Sequence, residues 1–136
     1  MEYTEAPPGP VVGDDLLANL VALLTDQLDG VTVASRRPAT DNLGSDPTVV
    51  VRLTGGQLSG VIADSPTVTV EAWAPTTIEA SALLSRARNS LRAAAHEGRS
   101  GLRRYREFAG PADLPDPDTT NPRYTLTASL VTRADL

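Results

Sequence analysis

The stretch Thr67-Val68-Thr69-Val70-Glu71-Ala72-Trp73-Ala74-Pro75-Thr76-Thr77-Ile78-Glu79-Ala80 changes its period halfway along, and that change decides the fold. As far as Trp73 the apolar residues fall at alternate positions, so Val68, Val70 and Ala72 share one face of a strand. Beyond Pro75 the spacing is helical, with Ala80, Leu83, Leu84, Ala87, Leu91 and Ala94 in one stripe. At the junction, Thr76-x-x-Glu79 fits a capping box. There the Thr hydroxyl meets the Glu79 amide and the Glu side chain reaches back to the Thr76 amide. The alanines of the stripe let this helix lie close on a sheet. Gly98 is its expected stop, with His96 and Arg99 near the negative end of the dipole.

Upstream, Leu16, Leu17, Leu20, Leu23, Leu24 and Leu28 fall on one face of a first helix. Asp14 can cap it, Asp15 suits its positive end, and Asp29-Gly30 closes it. A short strand follows over Val31 to Arg36, then a loop from Arg37-Pro38 to Asp46-Pro47. Thr48 to Thr54 is a strand with Val49, Val51 and Leu53 on one face, ended by Gly55-Gly56. The stretch to Pro66 reads as a loop or hairpin around Leu58 to Ile62. Downstream, Leu102 to Phe108 is a fourth strand, and Gly110 to Asn121 a proline-stiffened loop. Arg123 to Arg133 is a long last strand with Tyr124, Leu126, Ala128 and Leu130 on one side. The order α-β-β-β-α-β-β gives an α+β fold: a single mixed or antiparallel sheet with two helices packed on one face. Residues 1–12, acidic and rich in proline, read as a flexible arm, and 13–136 as one domain.

Composition removes several classes of function. The 136 residues contain no cysteine and no lysine, and all twelve basic residues are arginine. A thiolate zinc site, a cysteine nucleophile, a P-loop and a Schiff-base lysine are therefore excluded. One histidine leaves no His-based metal cluster. No stretch approaches the roughly 18 apolar residues of a membrane helix. The net charge of −5 opposes general affinity for nucleic acid.

Three features stand out as candidates for interaction. Arginines at 86, 88, 92, 99, 103, 104 and 106 are opposed locally only by Glu97 and Glu107. Such a band is either a solvated face or a positive surface for an acidic neighbour, including another copy of the chain. Trp73 lies out of phase with its strand's apolar face, so either the same chain or a partner covers it. The loop Asp113-Leu114-Pro115-Asp116-Pro117-Asp118 gathers carboxylates but lacks the glycine and bidentate Glu of a calcium loop. The candidate interface residues are Arg36, Arg37, Asp41, Trp73, Arg88, Arg92, Asp113, Asp116 and Asp118. No catalytic residue, cofactor site or metal site is assigned.

Val68-x-Val70-Glu71-Ala72-Trp73-Ala74 with its capped helix, then Gly110-Pro111-x-x-Leu114-Pro115-Asp116-Pro117 leading into Pro122-Arg123-Tyr124, resembles the tail terminator proteins of long-tailed phages. The resemblance is to the siphovirus type, especially of phages infecting actinobacteria, and runs from the first helix to Arg133. It implies a structural protein of the virion's head-proximal tail, made in the host cytoplasm, and not an enzyme. Such proteins form a hexameric ring on the last ring of the tail tube, stop its polymerisation and present a surface to a head-completion or connector protein. DNA would pass through the lumen without specific binding. Partners are then further copies of the chain, the tube protein and the connector, with no membrane and no cofactor. The alternatives are another head–tail joining or minor tail protein and, in a different class, a small metal-dependent hydrolase using the Asp113–Asp118 loop. A regulatory domain unrelated to phages is a third, weakened by only five scattered aromatic residues.

Overall fold

The computed structural model describes residues 13–37, 46–55, 58–59, 62–63, 66–115, 117 and 121–132. Its elements are α1 (Gly13–Gln27), β1 (Thr32–Ala34), β2 (Thr48–Gly55), β3 (Leu58–Ser59), β4 (Ile62–Ala63), β5 (Thr67–Trp73), α2 (Thr77–Glu97), β6 (Leu102–Asp113) and β7 (Arg123–Thr132), with a 3-10 turn at Arg99–Gly101. Five strands form one sheet in the order β1-β2-β5-β7-β6, and β3 and β4 make a separate hairpin. β1 runs parallel to β2, while β2–β5, β5–β7 and β7–β6 are antiparallel. The expected α+β sheet with two helices is therefore present, and it is mixed.

Both helices lie on one face of the sheet, and burial follows the periodicities that specify them. Leu16, Leu20, Leu23, Leu24 and Leu28 of the α1 segment meet Ala80, Leu83, Leu84, Ala87, Leu91 and Ala94 of α2. Beneath them lie Val49, Val51, Val68, Val70, Ala72, Leu126, Ala128 and Leu130. Small residues at 80, 87 and 94 recur every second turn of α2, so the helix axis can approach the strands. Thr76 caps α2 in extended geometry, its Oγ1 accepting from the Glu79 amide at 3.1 Å. The second half of the expected capping box differs: the Glu79 carboxylate accepts from the Thr76 hydroxyl at 2.9 Å, not from the amide. One hydroxyl, able to donate and accept at once, serves both bonds. Gly98 ends α2 at φ 73°, and its N–H meets the carbonyls of Ala94 and Ala95.

The fourth strand is longer than its sequence suggests. It continues through Gly110-Pro111 to Asp113, where an early loop is expected. β6 is an edge strand, and Pro111 falls inside the register shift between Ala109 and Ala112, where it has no paired partner on β7. Three register shifts along β6 mark bulges against β7. At the last of them Gly110 takes φ +96° and passes so close to β7 that a Cβ would lie 2.6 Å from the Thr125 carbonyl oxygen. A bulged, arginine-bearing edge resists uncontrolled strand addition. The first strand is shorter than expected, only Thr32–Ala34.

Candidate functional site

The strand directions sort charge along the molecule. Thr48, Trp73, Arg123 and Asp113 mark one end of the sheet, and the end of α1 leads into β1 there. Exposed Asp26, Asp29, Asp46, Glu79 and Asp113 lie at or beside this end. The last two turns of α2 and the start of β6 lie at the other end, carrying Arg92, His96, Arg103, Arg104 and Arg106. These five residues, with Ala95 and Tyr105, line a shallow groove of about 370 Å³. Four arginines of the band thus share one surface at this end, while Arg86 lies beside Glu79 and Pro47 toward the acidic end.

Two of the seven arginines in the band have carboxylate partners among the described residues. Arg99 lies 2.6 Å from the Glu97 carboxylate. Arg88 donates its Nε–H to Glu107, whose Oε2 also accepts from the Tyr105 hydroxyl at 2.7 Å. Burial by itself raises the Glu107 carboxyl. The hydrogen bonds from Arg88 and Tyr105, with the positive charges of Arg88 and Arg92, outweigh it and hold the group below the usual carboxylate range. Burial, then the bond to Glu107, pushes the Tyr105 phenol upward. The Glu107 bond and charge hold Arg88 protonated more firmly still. This network ties α2 to β6 directly beside the groove and fixes the position of the groove wall.

The face of the sheet away from the helices carries a second arrangement. Trp73 is fully covered, packed with Val50. The guanidinium of Arg37 lies 5.2 Å and that of Arg123 5.3 Å from the centre of its ring. Buried Glu71 accepts from Arg52 at 2.5 Å and lies 3.6 Å from Arg123. Arg123 also donates its Nε–H to the Leu114 carbonyl at 2.8 Å, and the Leu114 amide donates to the Arg123 carbonyl. One side chain therefore joins the tryptophan, the buried carboxylate and the start of the acidic loop.

Of the candidate interface residues, Arg36, Arg37 and Trp73 lie along or beside the β1 to β5 side, Arg36 and Arg37 exposed and Trp73 covered by its own chain. Arg88 is half-buried on Glu107, Arg92 is exposed in the groove, and Asp113 is exposed at the far end of β6. Asp41, Asp116 and Asp118 lie outside the described residues. The structure does not gather the described candidates into one patch: it separates Arg92 from Asp113 along β6. Arg123, Tyr105 and Glu107 carry geometry that sequence reading left unassigned, although the alternation of Tyr105 and Glu107 in β6 places both on the helix side. Among the described residues no group of three or more acidic or histidine side chains is placed to hold a metal ion. No helix among them is long and apolar enough to cross a membrane.

No protein-family model matches the chain, and no curated protein matches it in sequence. A solved structure is similar: the sheath/tube terminator of an extracellular contractile injection system (PVC), in its extended state. The similarity has a TM-score of 0.55 at 14% sequence identity and covers 94% of this chain. The chain spans 59% of that protein's length. At this identity the likeness establishes a shared fold.

Proposed function

We propose that this protein is a structural component of a phage-type tail that ends growth of the tube, a tail terminator. The observation that carries the reading is the likeness over 94% of the chain to a sheath/tube terminator. The bipolar surface supports it. A terminator ring needs heterologous contacts whose rotation closes, and a protomer with one basic and one acidic end is suited to such pairing. In this reading the copies form a ring, six in the siphovirus type that the sequence resembles. One face of the ring fits the last layer of tube subunits, and its other face accepts no further tube subunit. The opposite face is offered to a head-completion or connector protein, and the chain's net charge of −5 keeps DNA from adhering as it passes. The place of action is the head-proximal end of the tail, after assembly in the host cytoplasm.

Preassembled tubes of the cognate tail-tube subunit, incubated with gold-labelled protein and imaged by negative stain, test the reading. Label confined to one end of each tube supports it. Label spread along the tube, or absent from tubes altogether, rejects it. Another head–tail joining protein would bind only when connector subunits are added.

A further inference from the structure

We infer that the arginine groove between α2 and β6 receives the Asp113-Leu114-Pro115 tip of a second copy of this chain, head to tail. The inference deepens the proposed ring and rests on the premise that copies of the chain assemble.

The groove is a site in want of negative charge. Arg92, Arg103, Arg104, Arg106 and His96 line it, and no carboxylate among the described residues is bonded to any of them. Ala95 and Tyr105 line it as well, so it suits an occupant that joins an acidic group to a small apolar one. The tip has that chemistry. Asp113 is exposed and Leu114 is 52% exposed, one of the exposed large apolar side chains with Ile78, Phe108 and Val131. The backbone of Leu114 is pinned to Arg123 through both its amide and its carbonyl. The tip is thus held in place before any contact, which lowers the ordering cost of binding.

Geometry forbids the contact within one chain. Arg104 stands opposite Val131 of β7, and Asp113 opposite Tyr124. Groove and tip are therefore separated by about 20–25 Å along a rigid strand pair, at ~3.3 Å per residue. A tip can reach only a neighbour's groove, and each protomer keeps one groove and one tip free for the next. Such a contact propagates, and closes into a ring when the rotation per step allows. The chain as a whole repels its copies through its charge of −5, so a local pairing of opposite charges decides which surfaces meet.

Two experiments on the full chain test this. In the first, His96→Cys and Leu114→Cys are combined; the chain has no other cysteine, and both positions are exposed. Mild oxidation at the highest concentration the protein reaches should produce a ladder of linked multimers, which Arg103→Glu with Arg104→Glu removes. Leu114→Cys alone should stop at a dimer. Failure of the double-cysteine protein to go beyond dimers overturns the inference. In the second, Arg103→Glu/Arg104→Glu and Asp113→Arg are prepared as separate proteins and their masses followed by light scattering. Each alone should lose higher-order species, and an equimolar mixture should recover them, since each groove then faces a tip of opposite charge. Assembly that neither substitution weakens overturns the groove contact while leaving the terminator reading intact. A DNA oligonucleotide that binds wild type and not the Arg103→Glu/Arg104→Glu protein, without the linked ladder, overturns it in favour of a phosphate site.

Discussion

Replacing Gly110 with Ala isolates the close approach of the edge strand to its neighbour. Gly110, Gly98 and Gly30 all have positive φ, at +96°, +73° and +74°. An alanine at Gly98 or Gly30 would meet nothing within 4 Å, so it carries only the conformational cost. That cost is ~1–2 kcal/mol, offset in part by a stiffer unfolded chain worth about 0.4–1 kcal/mol. At Gly110 the new Cβ would lie 2.6 Å from the Thr125 carbonyl oxygen and 2.8 Å from the Leu126 Cα. Both are backbone atoms of a central strand and cannot turn aside as a side chain can. The strands must part, which adds roughly 1–3 kcal/mol of overpacking to the conformational cost. Gly110→Ala should therefore lose roughly 1–4.5 kcal/mol, and Gly98→Ala roughly 0–1.5 kcal/mol. Urea unfolding followed by far-UV circular dichroism measures both, and the midpoints can be compared directly because m should not change. A Gly110→Ala midpoint equal to that of Gly98→Ala would mean that β6 gives way at no cost, against this expectation.

Further expectations follow from the polar contacts. Because Glu107 is held below the usual carboxylate range, its contribution to stability is full above its unfolded value of about 4.3 and disappears as pH falls through the lower folded value. The stability of Glu107→Gln should accordingly fall less steeply with acid than that of wild type below about pH 4.3, seen as converging urea midpoints; parallel profiles would contradict this. Thr76→Ala removes the cap of α2 and should cost about 1 kcal/mol, with Thr76→Ser recovering most of it, both read from thermal melts. The single Trp73, fully buried beside Arg123, should emit as an apolar-site tryptophan. Arg123→Ala should shift its emission to the red while Arg52 keeps the buried Glu71 paired, whereas Arg52→Ala, further from the ring, should leave the emission in place.

The parts of this architecture that sequence reveals are those specified by near neighbours. The leucines from Leu16 to Leu28 and the stripe from Ala80 to Ala94 each repeat within a few turns, and each helix follows from them. Alternation about Val68, Val70 and Ala72 likewise places one face of β5. What stays hidden depends on distant pairing. The extension of β6 to Asp113 runs through a glycine and a proline that locally signal a loop, and only the partner strand β7 keeps that segment extended. Burial of Glu71 and Trp73 depends on Arg123, some fifty residues away, and on Arg37 from before β2. The run of arginines is visible in the sequence, but its segregation from Asp113 is set by which strand lies at the edge. The candidate interface was accordingly legible as residue types, not as two separate ends.

The most direct test of the central claim is the length of tail tubes grown from their own subunit with increasing amounts of this protein. For a terminator, mean length should fall as the ratio of protein to tube subunit rises, and finished tubes should resume no growth when fresh subunit is added. Tubes of unchanged length that continue to grow would contradict it.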